Sequence, residues 1–430
     1  MPDKKLGLWS STTYVVGNMI GSGIFMLPAA LATYGGISLL SWIIAAAGAL
    51  LLAYVFKSLS KSFPNLQGGP YVFTREGLGE FPAFLVAWGY WISIWCTNAA
   101  LAVAFVSYLT VFFPVLNTYY YLAIGTGLAA IWLLTWLNTR KITLSGNIQL
   151  ITTILKLLPL VSISIVGIFF INTAHFTPFN RTEDSTFYVL MVTVTLTLFA
   201  FLGLESATIP AHNVRDPQRT VPRATMIGTS IAVLVYMVST TSVMGILPPE
   251  VLQKSNAPFA DAAAILWGES ARNWVAAGAL ISTFGALNGW ILMQGQIPAA
   301  AAKDNLFPKL FKKENRNLMP TTGLVISSIL ASAVMVLNFT KGFAGTYKFI
   351  ILLATLTSLL PYIFSTASFL IFELKQPGIK KLNLKVVIGL LAFLFGVFAV
   401  AGSGEETVYY GFLMLLSGIP FYIWMKRNQA

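Results

Sequence analysis

The sequence predicts an all-α polytopic membrane protein of twelve transmembrane helices, and three observations carry that prediction. Of 430 residues, 56% are apolar and only 10% charged, whereas a soluble domain carries about 25% charged residues. Long apolar runs recur along the chain, among them 38-SLLSWIIAAAGALLLAYVF-56, 224-ATMIGTSIAVLVYMVSTTSVMGIL-247 and 322-TGLVISSILASAVMVLNF-339. Each is long enough to cross about 30 Å of hydrocarbon as a helix. The positive charge is also lopsided. With the N-terminus placed in the cytoplasm, 21 of the 27 Lys and Arg fall on the inner side, 5 on the outer side, and Lys156 inside a span. That bias predicts that both termini are cytoplasmic.

The first predicted span, 8–33, is apolar but interrupted at 17-GNMIGSG-23. MPDKKLGLWS leads into it without a small-residue cleavage site, so the span serves as its own insertion signal. Spans two to five follow at 38–58, 82–113, 119–137 and 148–171, the last carrying Lys156 in 153-TILKLLPLVSI-163. The sixth, 187–211, is interrupted at 199-FAFLGLESA-207, which puts Gly203 and Glu205 mid-span. Spans seven to ten are 223–247, 273–298 with Trp290 beside Gly289, 322–340 and 346–372; the last two are 383–403 and 405–425. The longest gap between spans is about 25 residues, so 1–430 reads as one domain with no soluble module.

Composition excludes several function classes. The formal charge of +12 reflects the basic bias of loops, and no nucleic-acid partner is expected; the partner is the lipid bilayer. One cysteine, Cys96, allows no internal disulfide. His175 and His212 lie near span ends, with no HExxH and no cysteine cluster, so neither a metal nor a cofactor is expected and the chain does not read as an enzyme. A channel or an amino-acid sensor on a transporter scaffold stays open on these grounds.

The two interruptions lie five spans apart, about 181 residues from Ser22 to Gly203. Interrupted helices at corresponding places in two halves point to a transporter site. Lipid cannot satisfy the backbone groups that unwinding frees. Free N–H groups at 21-GSG-23 suit a carboxylate, because the following half-helix aims its positive end there. Alone, Gly17 and Gly21 would read as a GxxxG packing motif; the paired break with a glutamate inside it favours a site. Glu205 has two readings, a satisfied buried acid that pins the broken helix or a gating and coupling group.

The stretches 17-GNMIGSGIFMLPAALATYGG-36, 68-GGPYVF-73, 90-YWISIWCTN-98, 203-GLESA-207, 215-RDPQRTVPRAT-225, 289-GW-290, 306-LFPKLF-311 and 361-PYIFS-365 run in order through nearly the whole chain. With them the chain resembles the amino acid–polyamine–organocation superfamily, and within it the bacterial basic amino acid/polyamine antiporters of the arginine/agmatine type. The resemblance implies a LeuT-like five-plus-five inverted repeat, spans 8–171 and 187–372, followed by the pair at 383–425, working by alternating access. It implies exchange of a cationic amino acid for another amino acid or its decarboxylated amine, in the inner membrane and as a homodimer.

By the same resemblance, Ser22 and Gly23, with Ile20, hold the substrate α-carboxylate, and Asn18 belongs to the substrate-binding set. Carbonyls around Phe199, Ala200 and Leu202 receive the α-amino group. Ser93, Ile94, Asn98 and Ala354 shape the side-chain pocket, Trp290 stacks on the side chain, and Tyr90 and Tyr362 act as gates. Phe199 replaces a tryptophan of the arginine/agmatine pattern, and Ala286 and Ala354 replace serines, which argues against arginine itself. Lys156 also departs from that pattern and matches a lysine of proton-coupled and exchange permeases in the wider superfamily. It makes protons a second candidate partner and proton-coupled symport the alternative to exchange.

Overall fold

The computed structural model describes residues 7–63, 68–140, 157–209, 214–338, 342–375 and 383–427. Among them no β-strand forms. The longer helices in chain order are α1 (Leu8–Met19), α2 (Ser22–Ala32), α3 (Ile37–Ser62), α4 (Pro70–Leu78), α5 (Glu80–Leu109), α6 (Tyr120–Asn138), α7 (Leu157–Phe170), α8 (Thr186–Leu198), α9 (Pro217–Ile246), α10 (Pro258–Trp267), α11 (Glu269–Lys303), α12 (Thr321–Asn338), α13 (Gly342–Lys375), α14 (Leu384–Ala401), α15 (Glu405–Leu416) and α16 (Gly418–Arg427). Among the described residues nine segments, with α1–α2 and α15–α16 each taken as one, are long and apolar enough to cross a membrane. Shorter apolar helices include Leu157–Phe170, Thr186–Phe201 and Thr321–Leu337.

Helix starts follow local chemistry. Pro70, Pro217 and Pro258 occupy first-turn positions, where a missing N–H costs nothing. Ser185 and Asn383 accept the backbone N–H groups of Tyr188 and Val386 at the starts of α8 and α14. Two of these longer helices lie outside the twelve predicted runs. The amphipathic α4 is too polar, and α10 too short, to register as apolar stretches of membrane length.

Polar and apolar groups are distributed as lipid requires. Trp136, Leu234, Leu337, Leu394 and Phe412 are exposed on the outer surface, while Ser22, Asn98, Glu205, Asn288 and Gln294 are buried. The centre is built around α5, which packs along both α11 and α13. The broken pair α1–α2 lies against this frame and α9, and α3 contacts α8 and α9. Ion pairs sit at helix ends and loops: Lys303–Glu314 at 2.7 Å, Lys385–Glu373 at 3.1 Å, Arg181–Glu250 at 2.8 Å, and Lys426–Glu80. The hydrogen bond from Arg181 holds the exposed Glu250 carboxyl below its ordinary pKa.

Candidate substrate site

The first break is short and tight. Helix α1 ends at Met19, Ile20 leaves helical geometry (φ −75°, ψ 86°), Gly21 follows (φ −124°, ψ −130°), and α2 begins at Ser22. Neighbours explain the glycine, since a β-carbon at Gly21 would meet Leu101 Cδ2 at 3.1 Å and the Ala286 methyl at 3.2 Å. The first N–H groups of a helix have no intrahelical acceptor, and no side chain caps α2. Its opening turn, Ser22 to Ile24, therefore presents buried donors at the positive end of a helix.

The second break is longer than the predicted interruption. Helix α8 stops at Leu198, a 3₁₀ turn covers Phe199–Phe201, Leu202 is extended (φ −61°, ψ 137°), and Gly203 has φ +98°. That positive φ is open to glycine at little cost. Where 187–211 reads as one interrupted span, no α-helix resumes among the described residues to Ile209; only a 3₁₀ turn, Ser206–Thr208, forms. The Phe199 carbonyl accepts from the Leu202 N–H at 3.2 Å, so one of the carbonyls expected to receive an amine is already engaged within the turn.

The two breaks touch. A β-carbon at Gly23 would lie 3.0 Å from Ala200 Cα and 3.1 Å from Ala200 Cβ. The donor-rich end of α2 thus lies directly against the unwound backbone of the second break. Tyr347 of α13 closes the same corner: its hydroxyl donates to Ser22 Oγ at 3.1 Å, and its ring meets Phe199 edge-on at 6.1 Å. Sequence reading missed Tyr347, because nothing in its spacing marks it among sixteen tyrosines.

Trp290 binds the break as well as facing it. Its Nε1–H donates to the Asn18 carbonyl at 3.0 Å, and a β-carbon at Gly203 would meet its ring at 3.2 Å. The Asn18 side chain approaches Met293 Sδ at 3.8 Å. The indole thus braces both breaks. Trp290→Phe keeps a ring but removes the donor. The expected result is a loss of substrate affinity of about fivefold, the equivalent of roughly 1 kcal/mol for one hydrogen bond. Ligand-induced thermal stabilisation checks it, and an unchanged affinity removes this bond from the binding machinery.

Glu205 is clamped from two sides. Tyr90 of α5 donates to Oε1 at 2.5 Å and Tyr362 of α13 donates to Oε2 at 2.7 Å, with all three side chains fully or almost fully buried. One carboxyl group therefore ties the second break to both helices of the central frame. Both carboxyl oxygens of Glu205 are thus engaged by side chains from two different helices.

The remaining expected pocket residues separate. The Ser93 hydroxyl donates to the Tyr90 carbonyl at 2.8 Å, on its own helix, so its proton is not offered to a ligand. Ile94 and Ala354 are fully buried. Asn98 Nδ2 donates to Gln294 Oε1 at 2.7 Å, a partner 196 residues away that the sequence reading did not name. Lys156 and His212 lie outside the described residues.

The Amino acid permease family matches residues 6–423. The chain belongs to that family. Among its relatives, the cadaverine/lysine antiporter of Escherichia coli (strain K12) is 34% identical over 431 residues, covering 97% of this chain and 94% of the relative. The putrescine transporter PotE of Haemophilus influenzae is 31% identical over 420 residues, covering 97% of this chain and 96% of the relative. This amino acid permease is a polytopic membrane transporter and not an enzyme, and the resemblance read from its motifs holds at the family level.

Proposed function

We propose that this permease exchanges a cationic amino acid for another amino acid or its decarboxylated amine by alternating access. The observation that carries the reading is the contact of the two breaks at Gly23 and Ala200. It brings unpaired N–H donors of a helix start against unwound backbone that offers carbonyl oxygens, which fits the carboxylate and α-amine of one amino acid. Trp290 and the buried amide Asn98 then face its side chain. The relatives named for lysine, cadaverine and putrescine act on compounds with more than one amine, and that supports a cationic side chain here.

The reading includes twelve crossings, with 8–171 and 187–372 as inverted five-span repeats and 383–425 as an added pair. It places the protein in the bacterial inner membrane with both termini cytoplasmic, on the 21-to-5 bias of basic residues. In this scheme Tyr90–Glu205–Tyr362 must part or shift when the site changes sides, because it joins elements from both repeats.

Counterflow tests the proposal. Purified protein in liposomes preloaded with lysine or cadaverine should take up labelled lysine several-fold faster than protein in empty liposomes. Equal uptake into empty vesicles under an inward proton gradient would overturn exchange in favour of proton-coupled symport. Binding without flux would identify a sensor, and flux that neither saturates nor depends on internal substrate would identify a channel.

A further inference from the structure

Asn98 and Gln294 stand one helical turn from the contacts that hold the first break. Leu101, three residues after Asn98, crowds Gly21, and Trp290, four residues before Gln294, donates to Asn18. Residues at those spacings share a helix face. Both amides are fully buried.

The hydrogen bonds around them determine which way each amide points. Gln294 Nε2 faces the Leu324 carbonyl at 3.1 Å and Ser328 Oγ at 2.7 Å. A carbonyl only accepts, so the Gln294 atom facing Leu324 must be its nitrogen. Thr135 Oγ1 gives its one proton to the Ile131 carbonyl at 2.7 Å. Ser328 must then donate to Thr135 across their 2.6 Å contact, which leaves the Ser328 oxygen to accept from Gln294. The chain is thus directed from end to end by two backbone carbonyls. The Gln294 main chain is held too, its carbonyl accepting from Ser327 Oγ at 3.2 Å, while Ser327 accepts from Trp91 Nε1 at 2.7 Å.

Gln294 Oε1 is therefore the atom presented to Asn98, and Asn98 must answer with Nδ2. Asn98 Oδ1 is left buried without a hydrogen-bond partner. An unpaired buried acceptor is costly, and a ligand carrying a donor recovers that cost whereas a methyl group cannot.

We infer that Gln294 is a positioning residue for selectivity: it locks the Asn98 carboxamide so that only an acceptor oxygen is offered to the substrate side chain. The site then selects an alkylammonium end over an isosteric hydrocarbon end, as expected for a site built around a buried polar group. This inference rests on the cationic-substrate reading above and names the device that enforces it.

Displacement of labelled lysine by lysine and by norleucine, which has the same carbon chain without the side-chain amine, measures the selectivity. In Gln294→Met the Asn98 amide is free to turn. The lysine-over-norleucine preference should fall about tenfold, the size of one hydrogen bond to a charged group, with norleucine affinity within about twofold of wild type. Ser328→Ala, two bonds away from any ligand, should lower the preference about threefold and carries the test if Gln294→Met does not fold. A preference unchanged in the variants, whether both affinities fall together or neither moves, overturns the inference and leaves the exchange reading intact. A wild-type protein that fails to prefer lysine overturns the cationic-substrate reading itself.

Discussion

Gly23→Leu should abolish substrate binding and exchange in a protein that still inserts, with a lowered melting temperature. Its β-carbon would fall 3.0 Å from a backbone atom of the second break, and a backbone cannot move aside as a flexible side chain does. The two breaks would have to separate, and the donors of α2 would lose their geometry relative to Ala200. Gly23→Ala is the graded version: overpacking by one methyl costs about 1–3 kcal/mol of stability, and affinity should fall less steeply than in Gly23→Leu, because the donors of α2 are displaced less from Ala200. Gly23 is the sharper probe of the site than Gly21, whose neighbours Leu101 and Ala286 are side chains. Ligand-induced thermal shift and counterflow together check the result. Wild-type counterflow by Gly23→Leu would move the site away from the contact between the breaks.

Glu205→Ala is expected to cut exchange to below a few per cent of wild type and to lower the melting temperature. It strands two buried hydroxyls, those of Tyr90 and Tyr362, each worth about 1–3 kcal/mol once its acceptor is gone. It also disconnects α5 and α13 from the second break. Glu205→Gln keeps one oxygen acceptor and an NH₂ that can donate to the other tyrosine, so it should recover much of the stability. Exchange by Glu205→Gln then separates the two roles of the side chain. Full exchange means that the joint alone matters, and stable protein without exchange means that an ionisable group is required. Retained exchange in Glu205→Ala would show that the clamp is dispensable.

Both experiments concern residues whose identity was legible in the sequence and whose partners were not. Gly21, Gly23, Gly203 and Glu205 stood out because each contradicts its surroundings, glycines or a carboxyl inside membrane-length apolar runs. Apolar periodicity and run length likewise placed a helix in each of the twelve predicted stretches among the described residues, since those signals are local. They missed α4 and α10, which are helical but neither long nor uniformly apolar. They also carried the sixth predicted span past the point where helix ends, because Leu202 and Gly203 turn the chain without a strong breaker such as proline.

The roles of individual polar groups were a different matter. Ser93 read as a pocket hydroxyl, yet its proton goes to Tyr90 on its own helix. Trp290 read as a stacking surface, yet its N–H also holds the Asn18 carbonyl 272 positions away. Tyr347 and Gln294 carried no sequence signal at all. A hydrogen bond is set by the relative rotation and depth of two packed helices, and neither quantity is written in the spacing along one of them.

By itself, then, the sequence determined that this chain is a helical membrane protein and where its helices give way, because hydrophobic run length and backbone propensity act over neighbouring residues; its motifs carried the resemblance to a transporter family. Only the tertiary structure decided that the two breaks meet at Gly23 and Ala200, that Glu205 has both oxygens occupied, and that Asn98 is left with an oxygen to offer. Those outcomes depend on which surfaces of α5, α11 and α13 face one another, and packing between distant segments sets that.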